Sequence, residues 1–449
     1  MPTVRAIAIE LLSQWEETGE PLDSLLEPAA VGLADLRDRQ LLYALGYGAA
    51  RWQGYLDWVI GRFSSHPLSK MKPRTRAALR LGILQLLVLS RIPAAAAINE
   101  TVAALAAARQ PKWLTGFVNG LLRNVARQAH ELPTPWRQAE ELPLSARLSH
   151  PDWLLTRWQA RYGLEKTIAI AAANNAPPPL CLRVNTARVA IPDFLEACRA
   201  KGLEAEPGGL APAAERLPGY SGSVAGIPGY AEGWFMVQDE AAQLVPLLAG
   251  PFAAGSYLDA CAGLGGKTIQ LAALLPADGP LVAVEPSLKR LEQLRENLVR
   301  LGLNDRVEVR PGELGGLTGG TERYRAILVD APCSGLGVIR RHPDIRWNRR
   351  SEDLGRFQRK QLELLTEAAT LLKPGGVLVY ATCSIEPEEN DQVVARFLAS
   401  HPGFRLTDAR EFLPPAAGVC VDQEGFLRTL PGEHGLDGFF AARLIRNEE

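Results

Sequence analysis

The sequence predicts an all-α N-terminal bundle followed by an α/β doubly wound fold, with a small α/β subdomain ahead of the sheet. Three observations carry this. Apolar residues recur at three- and four-residue spacing through the first 130 positions. From about residue 236, continuous apolar runs alternate with amphipathic segments, the pattern of a parallel sheet covered on both faces. A glycine-rich turn follows the first of those runs. At 449 residues the chain exceeds one ordinary core, so several domains are expected.

The bundle spans residues 1–135. VRAIAIELLSQWEE and RDRQLLYALGYGAARWQGYLDWVIGRF carry the helical spacing, and PAAAAINETVAALAAARQ opens with Pro93, suited to a helix start. HELPTPWRQAEELP holds three prolines and reads as a linker. The middle module, 144–235, opens with the helix SHPDWLLTRWQARYG, with Ser149 or Asp152 near its N-terminus. LCLRVNTARV then alternates as a strand and IPDFLEACRAKG as an amphipathic helix, before a Pro/Gly-rich stretch. Residues 236–449 form the doubly wound domain: GSYLDACAGLGGKT, GPLVAVEPS, DRVEVRPG, YRAILVDAPC and GGVLVYATCS supply successive strands. DGFFAARLIR reads as an antiparallel edge strand.

Charge and cysteine usage narrow the function classes. Lys+Arg number 49 and Asp+Glu 50, a net charge of -1, so any nucleic-acid site must be a local patch. Six cysteines without a CxxC pair argue against a disulfide scaffold or zinc module and for free thiols in a reducing compartment. MPTVRAIAIELLSQWEE lacks a secretory core, and the longest apolar run, LGILQLLVLS between Arg80 and Arg91, falls short of the roughly 20 residues a span needs. A cytoplasmic protein without a membrane segment is expected.

Within LDACAGLGGKT, Gly263, Gly265 and Gly266 allow the backbone to approach a ligand closely. The stretch lacks the first glycine of the GxxxxGK[ST] phosphate loop, which removes an NTPase. Glu285 closes the next strand about 20 residues on, where a ribose diol is gripped. An adenosine-containing cofactor follows, with NAD and S-adenosylmethionine both open.

The cysteines decide between them. LVDAPCSGLG and LVYATCSIEPEEN each deliver a thiol, Cys333 and Cys383, just past a strand, where ligands bind in such folds. Cys181, Cys198 and Cys420 read as small buried hydrophobes. Carbon 5 of cytosine takes a methyl group only after a thiolate adds at carbon 6 and makes the ring an enamine. A carboxyl group on the N3/N4 edge, for which Asp330 is placed, stabilises that adduct and favours cytosine over uracil. A second thiol assists loss of the carbon-5 proton. A nitrogen methyltransferase would more typically show an Asp/Asn-Pro-Pro-aromatic turn, absent here.

LDACAGLGGKT, LVDAPCSGLGVIRRHPDIRW, LVYATCSIEPEEN and LPGEHGLDGFFAARLIR together resemble the RNA cytosine-C5 methyltransferase family, the Sun group, in its bacterial 16S ribosomal RNA branch. LRLGILQLLVLSRIPAAAAINETVAALA and FVNGLLRNVAR are similar to the NusB antitermination-factor fold that this branch carries. The resemblance implies Cys383 as nucleophile and Cys333 as the residue assisting product release. It implies Cys261, Ala262, Gly263, Leu264, Gly265, Gly266 and Lys267 as the methionine-side cofactor loop, Glu285 as the ribose contact and Asp330 as a carboxylate near cofactor and base. Lys267 is also expected to reach the active site. Leu264 stands where the family has proline, and Glu313 stands where an Asp meets the adenine amino group.

The implied substrate is 16S ribosomal RNA, with a transfer RNA as a rival target and a non-enzymatic RNA-binding factor as the rival class. DNA is not an expected partner, and a monomer is. Two basic runs are candidate RNA contacts: Arg340, Arg341, Arg346, Arg349 and Arg350 with His342 and Trp347, and Lys70 to Arg80.

Overall fold

Helix formation in the first part of the chain follows from apolar spacing and from the residues at the helix starts. Six helices span Val4–Thr18, Leu22–Val31, Leu36–Phe63, Pro73–Leu87, Ala94–Ala107 and Lys112–Gln128. The Thr3 hydroxyl accepts from Ala6 N and the Asp35 carboxylate from Arg37 N, each satisfying an orphan donor of the first turn. Pro73 opens its helix at a position where no N–H is missed. The helices approach closely at glycines. A Cβ on Gly46 would stand 2.8 Å from a Leu26 methyl, and one on Gly82 would stand 2.6 Å from a Leu122 methyl.

The computed structural model describes all residues except 1, 90, 278, 318–323 and 449, and it divides into two units: 1–177 with 339–351, and 178–338 with 352–449. The helix Asp152–Asn175, which the sequence reading places in the 144–235 module, groups with the first unit. So does the segment 339–351, which interrupts the second unit. Among the described residues no helix is long and apolar enough to cross a membrane.

Part of each basic run turns inward, which corrects the RNA-facing reading for those residues, while Lys70, Lys72 and Arg350 stay exposed. Arg80 is 6% exposed and forks onto Asp57 at 2.6 and 2.9 Å, Arg76 pairs with Glu16 at 2.8 Å, and Arg74 pairs with Glu10. Arg346 is fully buried; its Nη1 donates to Ser149 O and Asn175 Oδ1, and its Nη2 to Asn174 O. Trp347 Nε1 donates to Ala50 O at 2.6 Å, and Asp344 accepts from Leu22 N. Segment 339–351 is therefore a structural plug of the helical unit. Burial, reinforced by the charge of Arg51, pushes the Arg346 guanidinium well below its usual range, and Asp344 offsets it only in part. Arg346→Ala leaves two buried acceptors and one partly buried acceptor without donors, so it should cost about 3 kcal/mol in denaturant unfolding. Arg346→Lys should recover little, because one ammonium cannot span the fork.

The second unit opens with a four-stranded antiparallel sheet in the order β2-β3-β1-β4, where β1 is Leu180–Val184, β2 Glu206–Pro207, β3 Ala214–Leu217 and β4 Phe235–Val237. Helix Ile191–Ala200 packs on it through Phe194 and Cys198. A larger sheet follows: β5 Tyr257–Asp259, β6 Leu281–Glu285, β7 Val307–Pro311, β8 Tyr324–Asp330, β9 Leu372–Thr382, β10 Phe404–Thr407, β11 Leu427–Thr429 and β12 Phe439–Arg446. Its order is β10-β12-β9-β8-β5-β6-β7, with β11 pairing on β12. Strands β5 to β9 run parallel, as the near-continuous burial of β6 and β8 requires. The terminal strand β12 is antiparallel to β9 as expected, but it is not an edge, because β10 adds outside it.

Candidate active site

Register places the thiols. In the parallel pair β8–β9, Asp330 lies opposite Ala381. Cys333 is three residues past the first and Cys383 two past the second, so both turns leave the sheet side by side. Their sulfur atoms stand 3.3 Å apart, both partly exposed. Gly337 N donates to Cys383 O at 2.9 Å, tying the two turns together, and a Cβ on Gly337 would fall 2.0 Å from Gly438 O. No side chain fits there. The hydrogen bond to Cys383 is the first cause that pushes the Cys333 thiol well above its usual range, ahead of burial and the charge of Cys383.

A charged pair borders the thiols. Lys267 Nζ stands 2.7 Å from Asp330 Oδ2 and 5.1 Å from the centre of the Phe439 ring. Burial pulls the Lys267 ammonium down, yet Asp330, with smaller contributions from Cys383 and Asp259, raises it above the usual range, so it stays charged. The four residues expected at the reacting centre, Cys333, Cys383, Asp330 and Lys267, are thus brought together.

Asp259, at the end of β5, is a member that the sequence reading passed over. It is buried; its Oδ2 accepts from the Thr268 hydroxyl at 2.7 Å and its Oδ1 from Cys261 N at 3.3 Å. Burial pushes its carboxyl up to about 6, from 3.8. The folded protein thus holds this proton more tightly than the unfolded chain, so the group's contribution is present below pH 3.8 and is lost as pH rises to about 6. Asp259→Asn keeps an acceptor for Cys261 N and has no charge to bury. Its unfolding free energy should therefore fall less than that of the wild type between pH 4 and 6, a difference on the order of 3 kcal/mol, read by calorimetry across that window.

The glycine loop forms the other wall. Gly263 and Gly265 take φ of +55° and +92°, values that side chains resist, before helix Gly266–Leu274 begins. A Cβ on Gly265 would strike Leu294 at 2.3 Å, whereas the side of Gly263 is open. Glu285 receives Gly263 N at 3.0 Å and Ser287 N at 2.8 Å, which fixes its carboxylate beside the loop. Leu264 is half-exposed at the tip, and its carbonyl accepts from Asn297. Ala262 is buried, and burial pushes the neighbouring Cys261 thiol up. Glu313 stands on the turn after β7, exposed and paired with Lys360 at 3.2 Å; Gly312 N reaches Glu285 O at 3.2 Å and holds that turn near Glu285. A helix N-terminus, an open backbone face and a fixed carboxylate suit a ligand that joins an amino acid to a nucleoside.

Comparison with known proteins gives this geometry a lineage. Residues 2–127 match the NusB family, 150–220 a Methyltr_RsmF/B-like ferredoxin-like domain, and 248–445 the 16S rRNA methyltransferase RsmB/F family. Ribosomal RNA small subunit methyltransferase B from Citrobacter koseri is 37% identical over 99% of both chains. The chain belongs to the RsmB/F methyltransferase family. The protein of the same name from Klebsiella pneumoniae is also 37% identical, over 99% of this chain and 98% of its own. The crystal structure of PH0851 superposes with a TM-score of 0.82 at 26% identity, covering 99% of this chain and 98% of that one. As an RsmB/F methyltransferase the chain uses S-adenosylmethionine, and RNA is its partner. The loop from Cys261 to Lys267, with Glu285, fits that cofactor, whose sulfonium supplies an electrophilic methyl group.

Proposed function

We propose that the chain methylates carbon 5 of a cytosine in 16S ribosomal RNA through a covalent adduct between Cys383 and carbon 6. The observation that carries this reading is the pair of free thiols 3.3 Å apart at adjacent strand ends, with the Lys267–Asp330 ion pair beside them. An enzyme that methylates an already nucleophilic nitrogen or oxygen needs no such pair.

Cys383 adds as thiolate to carbon 6, and the ring electrons move onto carbon 5 and the N3 edge. The Asp330 carboxylate accepts from the exocyclic amine, which uracil lacks. With the cofactor bound, carbon 5 would take the sulfonium methyl, the sulfur–methyl bond breaking to leave a neutral thioether, and would then hold both a hydrogen and the new methyl group. Cys333, having first given its own proton to solvent, takes that hydrogen as a proton, the carbon-5 electrons restore the double bond, and Cys383 leaves as thiolate. In this reading Glu285 grips the ribose, Glu313 meets the adenine amine, and the enzyme works as a monomer in the cytoplasm.

The test is nucleoside analysis of a 16S RNA transcript after incubation with the enzyme and methyl-labelled S-adenosylmethionine. Label in 5-methylcytidine supports the reading. Label on a ring nitrogen or ribose oxygen, or label in transfer RNA only, defeats it.

A further inference from the structure

LVYATCSIEPEEN carries, past its cysteine, an acidic run that the chemistry above leaves unused. Glu388 and Glu389 look alike in sequence, yet Glu389 is fully buried. Its Oε1 accepts from Ser334 N at 2.7 Å and Gln361 Nε2 at 3.2 Å. Its Oε2 accepts from the Ser334 hydroxyl at 2.5 Å and the Ser384 hydroxyl at 2.6 Å. Four donors converge on two oxygens, an arrangement that asks for an acceptor-only group. Ser334 follows Cys333 and Ser384 follows Cys383, so one carboxylate holds the residue after each reacting thiol.

The neighbouring side chains brace it. Asn390 Nδ2 donates to Ser384 O at 2.9 Å, and its Oδ1 accepts from Thr382 Oγ1 at 2.7 Å, which fixes the residues on both sides of Cys383. Tyr380 donates to the carbonyl of Glu389 at 2.5 Å from within β9. The parallel ladder ends at Asp330 and Ala381, so the sheet itself does not set the distance between the sulfur atoms.

We propose that Glu389 is a positioning residue that sets the spacing of Cys333 and Cys383, clamping their two turns through Ser334 and Ser384. The proposal rests on reading the two cysteines as the reacting pair. Glu389 bonds to the two turns, and its charge also helps to raise the Cys333 thiol; Glu389→Gln removes that charge while keeping the bonds, so it separates the two effects. A shift of about 1 Å in a reacting group costs on the order of a hundredfold in rate, which sets the scale of its effect on turnover.

The spacing can be measured without RNA. Dibromobimane fluoresces once two thiolates have each displaced a bromide from it, forming two C–S bonds and releasing two bromide ions. The full-length wild type, Glu389→Ala, Glu389→Gln and the double variant Ser334→Ala/Ser384→Ala would be compared, with Cys333→Ala and Cys383→Ala as dark controls. Glutamine keeps one acceptor for Ser334 N, and its amide can donate to hydroxyls turned to accept, so it should bridge at near the wild-type rate. Glu389→Ala should bridge about tenfold more slowly or worse, and its methyl transfer should show a lowered kcat with an unchanged KM for S-adenosylmethionine. Bridging by Glu389→Ala at the wild-type rate overturns the clamp. If Glu389→Ala no longer binds cofactor, the double serine variant decides: slow bridging supports the clamp and wild-type bridging overturns it. Slow bridging in the variants, together with a wild type that makes no 5-methylcytidine, leaves the clamp standing and removes the cytosine reading instead.

Discussion

Cys383→Ala is expected to lower methyl transfer to RNA by on the order of 10⁴-fold or more, the scale on which loss of a covalent nucleophile is felt. S-adenosylmethionine affinity should be unchanged. The reason lies in where each function sits. In the proposed reading, cofactor contacts come from the turn after β5, from Glu285 and from the turn after β7, whereas Cys383 lies past β9. Truncation removes only the sulfur; the backbone carbonyl that accepts from Gly337 N remains, and so do the Ser384 bonds to Glu389 and Asn390. Calorimetry with the cofactor and incorporation of labelled methyl into 16S RNA check both halves. Activity within tenfold of the wild type would mean that carbon 6 is not attacked by this thiol. Loss of activity together with loss of cofactor affinity would mean that the turn, rather than the nucleophile, had been removed.

Much of this site could be read in the sequence because its signals are local. Apolar runs that end in glycine, acid or cysteine announce strand ends, and a parallel sheet presents those ends on one rim. The placement of Cys333 beside Cys383 required only that β8 and β9 be neighbours. Long-range pairing is not written in a strand's own pattern. Strand β12 looks like an edge because it comes last, yet β10 pairs outside it. Asp259 lay within a motif read for its glycines, and its signal was an acid closing an apolar strand. Glu389 sits in an acidic run that, by composition, belongs in solvent; only the fold shows Ser334, 55 residues earlier, donating to it. The arginines misled for the converse reason. Charge density along the chain does not say which way a guanidinium points, and Arg346 is met mainly by backbone carbonyls and an asparagine, partners that leave no acidic residue as a clue.

Cys333→Ala should separate the two halves of the reaction, trapping protein covalently on RNA while overall turnover falls by about 10²- to 10³-fold, the range for loss of a general base. Once carbon 5 carries both methyl and hydrogen, the bond from Cys383 to carbon 6 breaks only as that hydrogen leaves as a proton. Cys333, 3.3 Å from Cys383, is the group next to the adduct that can take it, while Lys267 is held as an ammonium and has no lone pair to offer. The pH dependence follows from the same thiol. Its hydrogen bond to Cys383 holds it protonated before addition, and burial keeps it high afterwards, so wild-type release should quicken as pH rises, whereas the variant's slow release should not respond to that thiol. Wild type, Cys333→Ala and Cys383→Ala would each be mixed with S-adenosylmethionine and 16S RNA and run on a denaturing gel. A retarded protein–RNA band in Cys333→Ala alone assigns the thiols as proposed. A band in Cys383→Ala alone exchanges their roles, because the thiol left in place would then be the one bonded to carbon 6. If Cys333→Ala turns over at the wild-type rate with no band, another base removes the proton, and the close approach of the two sulfur atoms needs a different chemical reason.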